Sequence, residues 1–340
     1  MKKAVVIVSI LSIVVIFGYF LINNNGEILS PLGRVINVTN KKSYKVMAFL
    51  PNWSVNKYTK MPEGLDEVVY WDDGAEKANI KYNGRKILGI VKIVNDEKNN
   101  YEKEYIDVLE KINSSGKKWD GINLDYEFNS DPTEVLGDDF LNFLEKLKKS
   151  LNMEIGIDIF VNTINKGSKE KLDRLFSIVD EVVIMAYDFH RPGMDISGPV
   201  APISAPVGER SILEVVQRIV YLELPRNKIV MAFPLYGYEW KTYSADYRAQ
   251  IKRGWYQVAS VKRVNELLKT KAYEVKWDEE AASPWISYVE KGQIYQIYFE
   301  NIKSLKIKID LVEQNGFKGV GFWALGYEGD TGLFKLLTND

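Results

Sequence analysis

Short apolar runs with β-strand character recur along the chain from Lys45 onward. Most of them are separated by amphipathic segments, such as residues 101–115 and 138–151, in which apolar side chains recur at three- and four-residue spacing. Alternating strands and helices predict parallel pairing, because parallel strands need a long crossover connection. The eight runs are KVMAFL (45–50), EVVYW (67–71), KILGIVKI (86–93), GINLDYE (121–127), MEIGIDIF (153–160), EVVIMAY (181–187), KIVMAFPLYG (228–237) and GVGFWAL (319–325).

Eight such strands favour an α/β fold of the closed (β/α)8 type, a TIM barrel, over an open doubly wound sheet. No glycine-rich phosphate-binding turn follows the first run, and no boundary splits the segment into two domains. The first connection, residues 54–66, contains no clear helix. The connection between the seventh and eighth runs, residues 239–302, is oversized and contains a strand-like run, which predicts a small α+β insertion at the barrel mouth.

An uncharged apolar segment, Ala4–Ile22, precedes this pattern and follows two lysines. As a helix it would span roughly 28 Å, close to the thickness of about 30 Å of a bilayer core. Residues 1–22 are therefore predicted to be a signal anchor or a signal peptide, and the lack of a small-x-small cleavage pattern favours the anchor. The rest of the chain would then lie outside the cytoplasm, with residues 23–42 as a stem and residues 43–340 as the barrel domain.

The amino-acid composition limits the kinds of catalytic and binding site that the chain can contain. Hydrophobic residues make up 46% of the chain and charged residues 27%, which is ordinary for a soluble globular domain, and the net charge of -1 provides no basic field for nucleic acid. The chain has no cysteine and one histidine, His190, which excludes disulfides and thiolate metal sites and argues against a Ser-His-Asp triad. We therefore expect no metal and no cofactor, and chemistry carried by carboxylates, tyrosines and amides.

The fourth run alternates apolar and polar residues. Its polar positions, Asn123, Asp125 and Glu127, fall on one side of a strand, and its apolar positions fall on the other. An amphipathic edge strand with a solvated acidic face would give the same pattern, but neither face of a strand inside a barrel meets bulk water. We expect the acids to line the barrel interior, where burial and the like charge of Asp125 would raise the pKa of Glu127 and make it a general acid.

Four ordered motifs resemble one known family. DGINLDYE (120–127) is similar to the DGxDxDxE signature of glycoside hydrolase family 18, the chitinase-like barrels, in which it forms the fourth strand. MAYDFH (185–190) is similar to the family's M-x-Y-D, FPLYGYEW (233–240) to its P-F-Y-G, and GFWALG (321–326) places a tryptophan at the family's tryptophan position. The resemblance extends over about residues 45–335.

The resemblance implies a retaining, substrate-assisted mechanism. Glu127 would protonate the glycosidic oxygen and later activate water, while Asp125 would hydrogen-bond the acetamido N–H, so that the acetamido oxygen attacks the anomeric carbon. Tyr187 would donate its hydroxyl to the oxazolinium-like intermediate, and Trp323 would form the apolar floor under the sugar. The remaining substrate-binding residues would be Asn123, Met185, Asp188 and Tyr236. From the sequence alone, Trp323 could equally be a core residue, and the tyrosines could simply anchor strand ends.

The chain departs from the signature at two places. Asn123 stands where the middle aspartate is usual; an amide keeps the hydrogen bonds but cannot share a proton with Asp125. The fourth strand with Asn and the final FW-x-LG-x-E pattern resemble the branch of spore-cortex peptidoglycan N-acetylglucosaminidases. The third strand, residues 86–93, lacks the family's usual S-x-G-G, which weakens the chitinase interpretation more than the hydrolase interpretation.

The functional hypothesis is a membrane-tethered, extracytoplasmic glycosidase that cleaves β-1,4 bonds next to N-acetylglucosamine in peptidoglycan or in chitin-like glycans. The alternative is a lectin-like protein that keeps the cleft without turnover, although lectins of this family usually lose the acid at the position of Glu127. A carboxylate-metal hydrolase would need histidine ligands that the sequence lacks.

Overall fold

The computed structural model describes most of the chain after residue 43. The described residues are 21–22, 28–29, 44–94, 100–128 and 131–337.

The chain divides into two units, residues 1–42 and residues 43–338. In the first unit, the strands Leu21–Ile22 and Ile28–Leu29 pair in an antiparallel manner. The predicted apolar span Ala4–Ile22 lies outside the described residues apart from its last two. Among the residues that are described, none belongs to a helix with the length and apolarity that spanning a membrane requires.

The second unit is built around a parallel barrel. In chain order its strands are β1 (Lys45–Leu50), β2 (Glu67–Tyr70), β3 (Arg85–Val94), β4 (Gly121–Phe128), β5 (Glu154–Phe160), β6 (Glu181–Met185), β7 (Ile229–Pro234), β8 (Tyr236–Thr242), β9 (Ile251–Ser260), β10 (Lys276–Asp278), β11 (Ser283–Glu290), β12 (Gln293–Tyr298) and β13 (Gly319–Trp323). Strands β1 to β7 pair in sequence, and β13 closes the cylinder between β7 and β1. The predicted closed barrel of eight strands is confirmed.

The helices are α1 (Tyr101–Ser114), α2 (Asp138–Ser150), α3 (Val161–Lys166), α4 (Lys169–Ile178), α5 (Ile212–Tyr221), α6 (Val261–Thr270) and α7 (Ile302–Gln314). The amphipathic segments 101–115 and 138–151 form α1 and α2. The first two strand connections contain the 3-10 turns Asn52–Lys57 and Ala75–Lys77. Neither segment has apolar residues at the spacing that would pack an α-helix against the sheet.

The alternation in β4 is resolved as predicted. Ile122, Leu124, Tyr126 and Phe128 belong to the large apolar core between the barrel and its helices, and the rings of Tyr126 and Phe128 lie 5.3 and 5.5 Å from Phe140 of α2. The polar positions therefore face the barrel interior, whose apolar filling comes from Met47, Phe49, Val69, Ile87, Val183, Val230 and Ala232.

Ion pairs line the amino-terminal end of the barrel. Lys45 lies 2.8 Å from Glu67 and 2.5 Å from Glu181, and Lys318 lies 2.9 Å from Glu181. The carboxylates are buried and depend on these cations, because an unpaired charge at this depth would be strongly destabilising.

The predicted insertion is an antiparallel sheet with the strand order β9-β8-β12-β11-β10, accompanied by α6. It begins at Tyr236, earlier than the predicted residue 239, because the seventh apolar run is divided between barrel strand β7 and insertion strand β8. Gly237 permits the close contact between β8 and β12. A Cβ atom at this position would lie 1.8 Å from the carbonyl oxygen of Tyr298, so a larger residue would separate β8 from β12.

Candidate active site

A cavity of about 260 Å³ lies at the carboxyl ends of the barrel strands. Its walls come from residues at the ends of β2, β4, β6 and β13 and from the insertion. The lining residues are Trp71, Asp125, Glu127, Tyr187, Asp188, Tyr236, Tyr238, Val258, Trp323 and Tyr327. This is the end of a parallel barrel where active sites are found.

Six of the eight predicted site residues meet in this cavity, namely Asp125, Glu127, Tyr187, Asp188, Tyr236 and Trp323. Asn123 and Met185, the other two residues predicted to bind substrate, are not among the residues that line it. Asn123 is two residues closer than Asp125 to the amino-terminal end of β4 and lines a separate void of about 10 Å³. Met185 is buried, and its register partner on β7 is Ala232, a residue of the barrel interior.

Asp125 is almost completely buried, with 3% of its surface exposed. Its Oδ2 atom accepts a 2.7 Å hydrogen bond from the indole Nε1–H of Trp71, the residue that follows β2. Burial and the charge of Glu127 raise the pKa of Asp125 to about 7, against the opposing effect of the Trp71 hydrogen bond. Small changes around this carboxyl group therefore change its charge near neutral pH.

Glu127 lies at the carboxyl end of β4 and is only partly buried. Burial raises its pKa, and the charge of Asp188 raises it further. The interaction between the carboxyl groups of Asp125 and Glu127 that the sequence predicted is present, and Asp188 adds a second like charge that was not predicted. A raised pKa lets Glu127 retain a proton at higher pH than an ordinary glutamate.

Asp188 is fixed by two tyrosines of the insertion. Its Oδ1 atom accepts hydrogen bonds from the hydroxyl of Tyr236 at 2.6 Å and from the hydroxyl of Tyr238 at 3.1 Å. Burial raises the pKa of Asp188, and both hydrogen bonds lower it. The insertion thus controls the charge that faces Glu127.

Tyr187, which follows β6, and Trp323, at the end of β13, complete the cavity. Burial and the surrounding carboxylates raise the pKa of Tyr187 well above its ordinary value, so its hydroxyl stays protonated and can donate. The ring of Trp323 lies 4.4 Å from Trp71, edge to face, and 5.8 Å from Phe49. The peptide bond between Trp323 and Ala324 is cis.

Four lining residues were not predicted from the sequence: Trp71, Tyr238, Val258 and Tyr327. Of these four residues, only Trp71 could have been predicted from the sequence. Glu67, Val69 and Trp71 are alternate residues of the second apolar run, so they share its inward-facing side. Trp71 is at the carboxyl end of that run, the end where β4 places its acids. Among the described residues, no group of three or more histidine and acidic side chains is arranged to hold a metal ion.

The family model for glycosyl hydrolases family 18 matches residues 14–328. The cortical fragment-lytic enzyme of Bacillus anthracis is 26% identical over 275 residues, which cover 74% of this chain and 60% of that protein. The class V chitinase of Arabidopsis thaliana is 23% identical over 238 residues, which cover 63% of this chain and 60% of that protein. The chain thus spans about three fifths of the length of these relatives.

Solved structures show the same fold. The spore cortex-lytic enzyme SleL of Bacillus cereus superposes with a TM-score of 0.65 at 20% identity and covers 90% of this chain and 77% of its own. A family 18 N-acetylglucosaminidase from Paenibacillus barengoltzii gives a TM-score of 0.65 at 17% identity, over 86% of this chain and 98% of its own.

Proposed function

Because the chain belongs to glycosyl hydrolase family 18, we propose that it is a glycosidase that cleaves β-1,4 bonds next to N-acetylglucosamine. The cavity at the barrel mouth carries this proposal. There, Asp125 and Glu127 of β4 meet Tyr187, which follows β6, and Trp323 at the end of β13.

Glu127 acts as general acid and then as general base. With its pKa raised, it holds a proton that it donates to the glycosidic oxygen as the bond breaks. The resulting carboxylate later takes a proton from the water that attacks the intermediate. Burial and Asp188 both favour the protonated starting state, which supports this order of events.

Asp125 acts on the substrate's acetamido group. As a carboxylate it accepts the acetamido N–H and so directs the acetamido oxygen toward the anomeric carbon, which replaces a second enzymatic nucleophile. Tyr187, held protonated, donates its hydroxyl to the intermediate, and Trp323 provides the apolar surface under the ring. The outcome is retention of configuration.

Peptidoglycan is the substrate that we favour over chitin. The relative from Bacillus anthracis is called a cortical fragment-lytic enzyme, and SleL is called a spore cortex-lytic enzyme. We further propose that the apolar segment Ala4–Ile22 tethers the protein to the membrane, with the barrel on the outer side. Membrane fractionation of cells that produce the full chain tests the tether: recovery in the soluble fraction would contradict it.

The test of catalysis compares the full chain with Glu127→Gln on N-acetylglucosamine oligomers and on peptidoglycan fragments. We expect the substitution to lower turnover roughly a thousandfold, because it removes the proton donor and leaves the side-chain shape. Glu110→Gln, which changes an exposed carboxylate on α1, is the matched control and should keep full activity.

Two other results would contradict the proposal. Equal turnover by the wild type and Glu127→Gln would remove Glu127 from the chemistry. Binding of the oligomers without turnover by either protein would identify a lectin-like function for the same cavity.

A further inference from the structure

Asn123 and Asp158 form a buried polar contact below the active-site cavity. The Nδ2 atom of Asn123 on β4 donates a 2.8 Å hydrogen bond to Oδ1 of Asp158 on β5. Both side chains are almost fully buried, at 2% and 3% exposure. A buried carboxyl group inside the barrel is energetically costly, so it calls for a specific explanation.

Two buried acceptors remain beside this contact. Oδ1 of Asn123 and Oδ1 of Asp125 both lack a hydrogen-bond partner within the part of the chain that the structure describes. Asn123 and Asp125 are separated by one residue on the inward face of β4, so their Cα atoms lie roughly 6.5 to 7 Å apart. One added proton, carried by Asp125 and donated to Oδ1 of Asn123, would satisfy both acceptors.

Asp125, Asn123 and Asp158 form a series of three side chains, and the added proton can lie on the aspartate at either end. If Asp125 carries it, Asp125 donates to Oδ1 of Asn123, and Nδ2 of Asn123 donates to Asp158 as observed. If Asp158 carries it, the amide turns by half a rotation: Asp158 donates to Oδ1 of Asn123, and Nδ2 donates to an ionised Asp125. In both arrangements the amide of Asn123 is hydrogen-bonded to both aspartates. Without the proton, one acceptor oxygen would have no donor.

We propose that Asp125 and Asp158 share one proton across the amide of Asn123, and that Asp158 is thereby a positioning residue for the active site. This inference rests on the proposed function only for its kinetic consequence. Asp158 does not touch the substrate cavity; it acts through Asn123 on the charge of Asp125.

Other ionisable groups also face Asp158. Glu127 and Asp125 lie on β4, Glu181 lies at the start of β6, and Tyr187 follows β6. Glu181 is paired with Lys45 and Lys318, so its charge is compensated. Burial, followed by the charge of Asp125, raises the pKa of Asp158, which is consistent with a proton held on this pair.

The first test is Asp158→Asn in the full chain. Its neutral amide stands in for a protonated Asp158, so loss of a proton leaves the negative charge on Asp125 alone, whereas in wild type either acid can hold that charge. The acid limb of the profile of kcat/KM against pH on N-acetylglucosamine oligomers should therefore move toward higher pH, by at least about 0.3 units. Asp278→Asn, a change at a buried aspartate in the insertion, is the control and should leave this limb in place.

The exchange variant Asn123→Asp/Asp158→Asn provides the decisive comparison. It returns the second acid to β4, where the introduced carboxyl group would share a proton with Asp125 directly, so the acid limb should move back toward its wild-type position. A purely structural role for Asp158 predicts no such recovery. An unmoved acid limb in Asp158→Asn, or an exchange variant no closer to wild type than Asp158→Asn, would overturn the proposal.

A second readout does not depend on activity. A proton retained by the folded pair but lost by the unfolded chain makes stability fall as pH rises, so the decrease in Tm from pH 5 to pH 8 should be smaller in Asp158→Asn than in wild type. If the wild type hydrolyses nothing, the proposed glycosidase fails and this measurement still decides the shared proton. Equal slopes in the two proteins would then reject it.

Discussion

The indole nitrogen of Trp71 and the carboxylate of Asp125 are joined by a 2.7 Å hydrogen bond that links the ends of β2 and β4. The bond crosses β3, which lies between these two strands in the barrel. It lowers the pKa of Asp125 against the opposing effects of burial and the charge of Glu127. Trp71 also packs against Trp323, so one side chain serves both the acid and the apolar floor.

Trp71→Phe should therefore impair the enzyme most at low pH. Loss of a hydrogen bond to a charged group costs about 1.5 to 3 kcal/mol, which corresponds to a rise of about one to two units in the pKa of Asp125. The acid limb of kcat/KM should move toward higher pH, as measured on N-acetylglucosamine oligomers. Trp119→Phe, which removes an indole bound to Ser115 outside the barrel, is the matched control. Identical acid limbs in Trp71→Phe and wild type would show that the bond does not control Asp125.

Asp188→Asn should move the basic limb of the profile of kcat/KM against pH. The charge of Asp188 raises the pKa of Glu127, and the amide removes that charge while keeping an oxygen that can accept from Tyr236 and Tyr238. Glu127 would then lose its proton at lower pH, so the basic limb of kcat/KM should fall by about one unit. Normalised profiles separate this effect from any loss of substrate contact.

Tyr238→Phe is the informative comparison for that experiment. It removes the longer of the two hydrogen bonds to Asp188 and leaves the charge in place. Because this bond favours the charged form, its loss raises the pKa of Asp188, so the basic limb should move in the same direction as in Asp188→Asn but by less. A basic limb that stays fixed in both variants would mean that another group titrates there.

The buried pair formed by Lys308 of α7 and Glu300 provides a stability test away from the cavity. The two charges lie 2.9 Å apart with side-chain exposures of 0% and 1%, and Glu300 also accepts from Ser304 at 2.6 Å. Lys308→Met would leave Glu300 buried without its cation and should lower the free energy of unfolding by about 3 to 5 kcal/mol in urea titrations.

Two companion variants check the cause of that loss. The double substitution Lys308→Met/Glu300→Gln removes both charges and should recover most of the stability. Lys306→Met breaks an exposed pair with Asp310 on the same helix and should change stability by no more than about 1 kcal/mol. A double variant as unstable as Lys308→Met would point to lost packing instead of an unpaired charge.

The barrel was predictable because its strands are buried on both faces and therefore form near-continuous apolar runs. The boundary of the insertion was not. No polar or glycine-rich break separates Pro234 from Tyr236, so two strands that belong to different sheets look like one run. A change of strand direction inside an apolar segment leaves no periodicity signal.

The acids of β4 were predictable because alternation along a strand is local. Their partners come from elsewhere in the chain: Trp71 follows β2, Asp158 lies on β5 and Asp188 follows β6. A tryptophan that ends an apolar run is read as a core residue, and Asp158, the second of the two acids in MEIGIDIF, was not predicted to belong to the site. Sequence adjacency identified the interaction between Asp125 and Glu127 but not the charge of Asp188, which comes from a different part of the chain.

Asp125 should cost the folded protein stability at neutral pH. Its ordinary pKa is 3.8 and burial in the fold raises it to about 7, so between these values the folded state binds a proton that the unfolded chain has lost. The free energy of unfolding therefore falls as pH rises through this interval. Asp125→Asn cannot titrate and keeps an oxygen to accept from Trp71. It should match wild type near pH 4 and exceed it by about 2 to 4 kcal/mol at pH 8, at the expense of activity. Urea titrations at both pH values measure this, and an advantage that does not grow with pH would mean that Asp125 ionises in the fold as it does in the unfolded chain.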